Sequence, residues 1–232
     1  MIDPISKKKI IETLNVVETS TREGNYAKIS KFFDGPGKRQ QITYGRSQLT
    51  EYGFLPKLIN RYEASGGLFS KEFTKYKDRI GGTHASLVKD EIFLNLLTKS
   101  AKDPIMRRLQ DEIFEVEYWM PALIFWKENG FTLPLSLLVI YDTAIHSGPA
   151  LNNTKTLFYR LRNRFKENVP KNGGDEKKWV ESYVKVRHDW LINNPSEDLV
   201  KSSYRTKCYL ELIKNSNWDL SQPFKMNGVT ID

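Results

Sequence analysis

Apolar residues recur at helical spacing from the start of the chain. Ile10, Ile11, Leu14 and Val17 share one stripe, Ser6 stands where a helix cap is wanted, and Glu18 takes the next place on that stripe. From Gly24 to Gly53 the pattern changes. Gly24, Gly35, Gly37, Gly45, Gly53 and Pro36 punctuate it, and Gln41-Ile42-Thr43-Tyr44 alternates polar with apolar, which predicts short strands and turns, a small β-lobe over about 24–53. Helical spacing returns with Leu55, Leu58, Ile59 and Tyr62, and again over Leu87 to Leu97. It comes a third time at Ile105, Leu109, Ile113 and Val116, behind Asp103-Pro104 as cap and first helical residue. Leu133 to Ile145 is apolar nearly all round, which predicts a buried central helix stopped by Ser147-Gly148-Pro149. Further helices are expected over about 154–167, 175–193 and 197–214, with an irregular tail from Trp218 to Asp232. No repeat, low-complexity tract or heptad pattern breaks this order.

Length and charge then narrow the class. At 232 residues the chain is long enough for one unit with two lobes, and a single domain over 1–232 is expected. Its 12 Phe, 11 Tyr and 5 Trp can furnish both a core and a groove. Lys and Arg exceed Asp and Glu by 36 to 28, a net charge of +8, which favours polyanionic partners over a polycationic one. Cys208 is the single cysteine, so an intrachain disulfide and a Cys-based zinc site are excluded. The longest apolar run, Phe131 to Ile145, is interrupted by Thr132, Pro134, Ser136, Asp142 and Thr143, so no membrane span is expected. The start, Met1 to Lys9, has no apolar stretch after its charges and does not read as a secretory signal. Either the chain works inside the cell, or it is a mature module or a domain exported by other means.

Two carboxylates carry the chemistry. Glu18 occupies a place on the helix where an apolar residue belongs, and burial of that kind raises a carboxyl pKa toward what a general acid at neutral pH needs. Asp34, in Phe33-Asp34-Gly35-Pro36-Gly37, is set in a turn where a solvated carboxylate stays ionised. Taken alone, each reads more simply as an ordinary helix end or an ordinary Asp turn. Together they suggest glycoside hydrolysis, in which one carboxyl is protonated and the other ionised across the scissile bond. Asp142 ends the run Leu137 to Tyr141, so it must be paired where it is buried, and Arg187 and Arg205 are its expected partners. Such a network either positions Glu18 from behind or serves as a purely structural ion cluster.

Other chemistries drop out. His84, His146 and His188 lack metal-ligand spacing and are expected to be structural or surface groups, and no Gly-x-Ser-x-Gly element is present. Gly35-Pro36-Gly37-Lys38 lacks the spacing and following helix of a phosphate loop. The clusters Lys7-Lys8-Lys9, Arg107-Arg108 and Arg160, Arg162, Arg164 read as solvated helix faces, and no nucleic-acid fold signature accompanies them.

In order, these segments resemble the chitosanases of glycoside hydrolase family 46, within the lysozyme superfamily, from about residue 7 to 230. The resemblance is carried by Val17-Glu18-Thr19-Ser20, by Tyr26-Ala27-Lys28-Ile29 leading to Asp34-Gly35-Pro36-Gly37, and by Tyr141-Asp142 through His146-Ser147-Gly148. Gly173-Gly174-Asp175-Glu176, Arg187, Arg205, and Asn217-Trp218-Asp219-Leu220 with Pro223 continue it. It implies a mainly α (α+β), two-lobed lysozyme-like fold with a small β-element and a cleft between the lobes. It also implies that Glu18 protonates the leaving oxygen while Asp34 activates a water with inversion. Thr43 would hold that water, Asp142, Arg187 and Arg205 would support Glu18, and neither metal nor organic cofactor would be needed.

Two departures matter, the first for the base and the second for the substrate. The stretch from Asp34 to Thr43 is about four residues longer than the family's spacing, which makes Glu51 a reserve candidate for the base. Phe54 stands where the family has an aspartate that meets the glucosamine ammonium. With the charge of +8, this favours peptidoglycan, the substrate of a lysozyme-like muramidase, over chitosan; a non-enzymatic basic module binding cell-wall polymer or nucleic acid is the third reading. Tyr44, Tyr52 and Phe54 are candidates for stacking on sugars, and Arg46 and Gln48 for hydrogen bonds to hydroxyl or N-acetyl groups. The expected partner is thus a polysaccharide, peptidoglycan or chitosan, bound by a monomer with no nucleic acid. Action on the cell wall, periplasmic or extracellular, goes with delivery as part of a secreted antibacterial effector, which would have an immunity protein, or of a phage lysin.

Overall fold

A computed structural model describes residues 2–82 and 86–232, so His84 lies outside the described residues. In chain order the elements are α1 (Pro4–Thr19), β1 (Ile29–Phe32), β2 (Gln41–Tyr44), β3 (Leu49–Thr50), α2 (Leu55–Ala64), α3 (Ser70–Thr74), α4 (Glu91–Ser100) and α5 (Pro104–Phe114). A π-helical turn (Glu115–Trp119) leads into α6 (Met120–Glu128) and α7 (Pro134–Ser147). Then come α8 (Leu157–Arg162), α9 (Glu176–Ile192), α10 (Glu197–Lys201), α11 (Tyr204–Lys214), β4 (Phe224–Met226) and β5 (Val229–Ile231). The fold is mainly α with a small antiparallel sheet. Two compact units emerge, one formed by the chain up to Arg22 together with Val116–Asp232, the other by Glu23–Glu115.

The first unit is built around α7. Leu135 to Ala144 are all buried, as a helix apolar on every side requires, and α1, α6, α8 and α9 pack against it. An aromatic cluster fills the space beside it. Trp179 and Tyr183, four apart on α9, stack at 5.3 Å, and Phe131 meets Trp179 edge-on at 4.8 Å. Burying each such side chain contributes roughly 1.5–3 kcal/mol. Gly148, at φ 94°, ends α7 at the expected stop.

The second unit contains the three-stranded sheet, in order β1-β2-β3, with Phe32 opposite Gln41 and Thr43 opposite Thr50. Ile42 and Tyr44 are buried, as are Leu55, Leu58, Ile59 and Tyr62 of α2. Gly45 is required where β2 ends: at φ 81°, a Cβ there would lie 2.1 Å from Gln110 Oε1, the atom that accepts the Arg46 N–H.

Several expectations are corrected. α1 is capped by Asp3, whose carboxylate accepts from the Ser6 N–H, because Pro4 already fills the first helical place. The helix expected from Leu87 starts at Glu91 behind an Asp90 cap. Val116 is 58% exposed, because the π-turn adds a residue to the helical repeat and hands the buried place to Trp119. The predicted 154–167 helix shrinks to α8, and 197–214 divides into α10 and α11 at Ser202-Ser203. The tail is not irregular: β4 and β5 form a hairpin across Asn227-Gly228, both at positive φ, the signature of a type I′ turn. No described helix is long and apolar enough to cross a membrane.

Candidate active site

Glu18 is the penultimate residue of α1. Ser20, in the left-handed region at φ 63°, ends the helix by returning its N–H to Val16, and Asn15 holds the following turn through Arg22 O at 2.7 Å. The Glu18 carboxyl is therefore carried on a fixed helix end, with its side chain 15% exposed. Its nearest charge is Arg205 on α11, with Nη2 at 3.7 Å from Oε1, an ion pair beyond hydrogen-bond length.

Arg205 is committed elsewhere. Its Nη1 donates to Asp142 Oδ1 at 2.8 Å, while Arg187 Nη1 from α9 donates to Oδ2 at 2.5 Å. Asp142 and Arg187 are fully buried. Burial alone would raise the Asp142 pKa, but the two guanidinium groups outweigh it and hold this carboxyl below its ordinary value. The Arg205 charge is thus largely answered by Asp142. For Glu18 the balance inverts: burial raises the pKa, Arg205 opposes, and the Asp142 charge adds to the rise, leaving Glu18 above the ordinary glutamate value. A carboxyl of this kind keeps its proton to higher pH than an ordinary glutamate, which is what a general acid requires.

The sequence reading placed Asp142, Arg187 and Arg205 together, and the structure brings them together with Glu18. It missed two members of the same cluster. His146, one turn after Asp142 on α7, meets Arg187 Nη2 through Nδ1 at 3.3 Å, and Tyr204 donates its hydroxyl to Val17 O at 2.9 Å beside Glu18. The Asp142–His146 spacing of four was the available signal, since both fall on one helix face.

Asp34 belongs to the other unit, in the turn that follows β1. It is exposed, and its Oδ1 accepts from Gln41 Nε2 at 2.9 Å, while Gln41 Oε1 accepts the Tyr52 N–H at 3.2 Å. Gln41, which the sequence reading did not single out, lies two residues before Thr43 on β2 and so shares its face. Thr43 is buried, and its hydroxyl donates to Gln48 Oε1 at 2.6 Å, so toward a water it acts only as an acceptor.

The remaining candidates are redistributed. Tyr44 is fully buried with its hydroxyl on Leu97 O at 2.8 Å, so it is a core residue and cannot stack on a sugar. Glu51 is also fully buried. Oε2 accepts from Ser86 Oγ at 2.6 Å and Ile42 N at 3.3 Å, and Oε1 accepts from Leu87 N at 2.9 Å, which makes it a structural tie rather than a base facing water. Arg46 lies against the rings of Tyr26 and Phe114, within 3.0 Å of Asp111, and Gln48 is engaged by Thr43 and Gly45 O, so neither is free for substrate. Tyr52 and Phe54 are half-buried. Among the described residues no group of three or more His, Cys, Asp or Glu is arranged to hold a metal ion.

Comparison with known proteins gives one answer. Residues 12–224 match the profile of glycosyl hydrolase family 46. A chitosanase of Bacillus subtilis is 26% identical over 238 residues, covering 96% of this chain and 82% of that protein. A chitosanase of a Streptomyces species is 22% identical, covering 96% and 79%. The fold matches that of a Gynuella sunshinyii chitosanase in complex with chitotetraose, with a TM-score of 0.84, 20% identity and coverage of 99% and 98%. It also matches a mutant chitosanase from Bacillus subtilis complexed with 6 GlcN, with a TM-score of 0.82, 22% identity and full coverage of both chains.

Proposed function

This chain belongs to glycosyl hydrolase family 46, and from that premise we propose that it hydrolyses the β-1,4 bonds of a glucosamine polymer of the chitosan type. Glu18 is the general acid and Asp34 the general base. The observation that carries the reading is the state of Glu18: a carboxyl on a fixed helix end, its pKa raised by burial, backed by an arginine whose charge is already answered by buried Asp142. A protein that merely bound polymer would have no use for a proton donor so maintained.

The proposed step is a single displacement. Glu18 gives its proton to the glycosidic oxygen as the bond to C1 breaks, and Asp34 takes a proton from the water that attacks C1 from the opposite face, inverting the anomeric centre. Thr43 assists by accepting the second hydrogen of that water, since its own proton is held by Gln48. Gln41 holds the Asp34 carboxylate without removing its capacity to accept a proton, because it engages Oδ1 and leaves Oδ2 to the water.

Chitosan is favoured over peptidoglycan because the curated relatives and the matched structures are chitosanases. The peptidoglycan expectation rested on Phe54 and the net charge, and the net charge is a property of the whole surface. The deciding experiment is release of reducing ends from soluble chitosan and from purified peptidoglycan in parallel, with Glu18→Gln as the blank. Release from chitosan is expected, and release from peptidoglycan alone would overturn the substrate assignment.

A further inference from the structure

Phe33 directly precedes Asp34 and is 71% exposed. It stands one residue beyond the end of β1, where Phe32 pairs with Gln41. Gln41 in turn holds Asp34 and the Tyr52 N–H, and Gly35 N donates to Arg39 O at 3.0 Å, so the backbone on either side of the ring is tied down. Among the described residues no aromatic ring or cation is placed against Phe33. A large apolar ring is thus kept in water on an anchored turn next to the candidate base.

The chemistry of the proposed substrate fits such a ring. A β-linked glucosamine unit has its ring substituents equatorial and its C–H bonds axial, so each face of the sugar is apolar, and its ammonium is attracted to the face of an aromatic ring. The turn itself offers little else to hold a cation, because Lys31, Lys38 and Arg39 surround Asp34 in sequence. We propose that Phe33 is a stacking platform for a glucosamine unit beside Asp34, a determinant of substrate affinity that acts through its ring face. This rests on the reading of Asp34 as the base, and the two can be tested apart.

The test measures binding of a glucosamine hexamer to the Glu18→Gln protein by titration calorimetry, and KM and kcat for the same oligomer in the active protein. Phe33→Ala is expected to raise Kd and KM about tenfold with kcat within about twofold, Phe33→Trp to restore both, and Phe33→Leu to leave them near the alanine values. Unchanged Kd in Phe33→Ala, or full affinity in Phe33→Leu, would overturn the platform. Asp34→Asn with turnover intact would instead remove the base assignment, and the hexamer Kd would still judge Phe33.

Discussion

Glu18 and Arg205 stand 3.7 Å apart, near enough to feel each other's charge and too far to share a hydrogen bond. The gap exists because Arg205 is drawn to Asp142, at 2.8 Å, on the other side. Had the guanidinium closed on Glu18 in a paired fork, the carboxyl would be held ionised and useless as an acid. Holding it at a distance orients Glu18 and leaves burial to set its protonation.

Replacing Glu18 with Gln therefore separates activity from stability. Turnover of chitosan is expected to fall by a factor of about 10²–10⁴ or more, the usual worth of general acid catalysis. Because the folded state disfavours the ionised carboxyl, the neutral isostere is expected to raise the melting temperature at pH 7, by roughly 2–4 °C for each kcal/mol relieved. Reducing-end assays and thermal unfolding check the two halves. A lower melting temperature would mean that attraction to Arg205 outweighs burial.

The pH profile offers a signed test. The proposed acid must be protonated, so kcat/KM is expected to fall as pH rises through the Glu18 pKa, and the raised value is expected to carry activity above the ordinary 4.5. Asp142→Asn removes a negative charge that raises this pKa and frees Arg205 to lower it, so the alkaline limb is expected to move to lower pH. The same substitution leaves two buried arginines without their anion and should cost about 3–5 kcal/mol. Profiles recorded below the melting temperature of the variant decide whether the limb has moved.

His146 sets the acid sensitivity of this cluster. Burial, with Arg205 and Arg187 nearby, holds its pKa well below 6.5, against the opposing charge of Asp142. The folded state thus keeps it neutral and able to accept from Arg187. A base whose folded pKa is depressed contributes stability above its unfolded pKa and loses it as pH falls below about 6.5. Asp142, also depressed, adds its own loss near and below 3.8. His146→Gln preserves an acceptor and does not titrate, so its stability to urea should change less between pH 7 and 5 than that of the parent, while His146→Leu should be less stable at both.

How far the sequence reveals this protein varies with the kind of information. The long helices and the Asp142–Arg187–Arg205 cluster were legible because burial of one carboxylate among aliphatic residues demands partners, and few cations lie on apolar faces. Val116 was misplaced because a π-turn shifts the helical phase without any Pro or Gly to announce it. The Asn227-Gly228 hairpin carried a readable turn signal, obscured by the short strands on either side. Tyr44 was misassigned because alternation reports that a strand has two faces and not which one is inward. Net charge is a weak guide to substrate for a different reason. Lys155, Arg160, Arg162, Arg164, Lys166 and Lys171 against Glu167 account for five of the eight surplus positive charges within one short stretch, so the total says little about the surface around Glu18 or Asp34.

Asp34 and Glu51 can be told apart by a crossed pattern of effects. Asp34 is exposed and, among the described residues, is held by Gln41 alone, so Asp34→Asn is expected to change stability by less than about 0.5 kcal/mol while lowering turnover by a factor of about 100 or more. Glu51 receives the Ile42 and Leu87 backbone N–H groups and the Ser86 hydroxyl in a fully buried place. A glutamine there turns one acceptor into a donor facing other donors, which costs about 1–3 kcal/mol and loosens β2 from the segment at Leu87. The folded fraction of Glu51→Gln should nonetheless turn over chitosan within about threefold of the parent. Urea unfolding paired with kcat corrected for folded fraction reads both quantities. Loss of kcat in Glu51→Gln at unchanged stability would transfer the base to Glu51, and with it the water that Thr43 is proposed to orient.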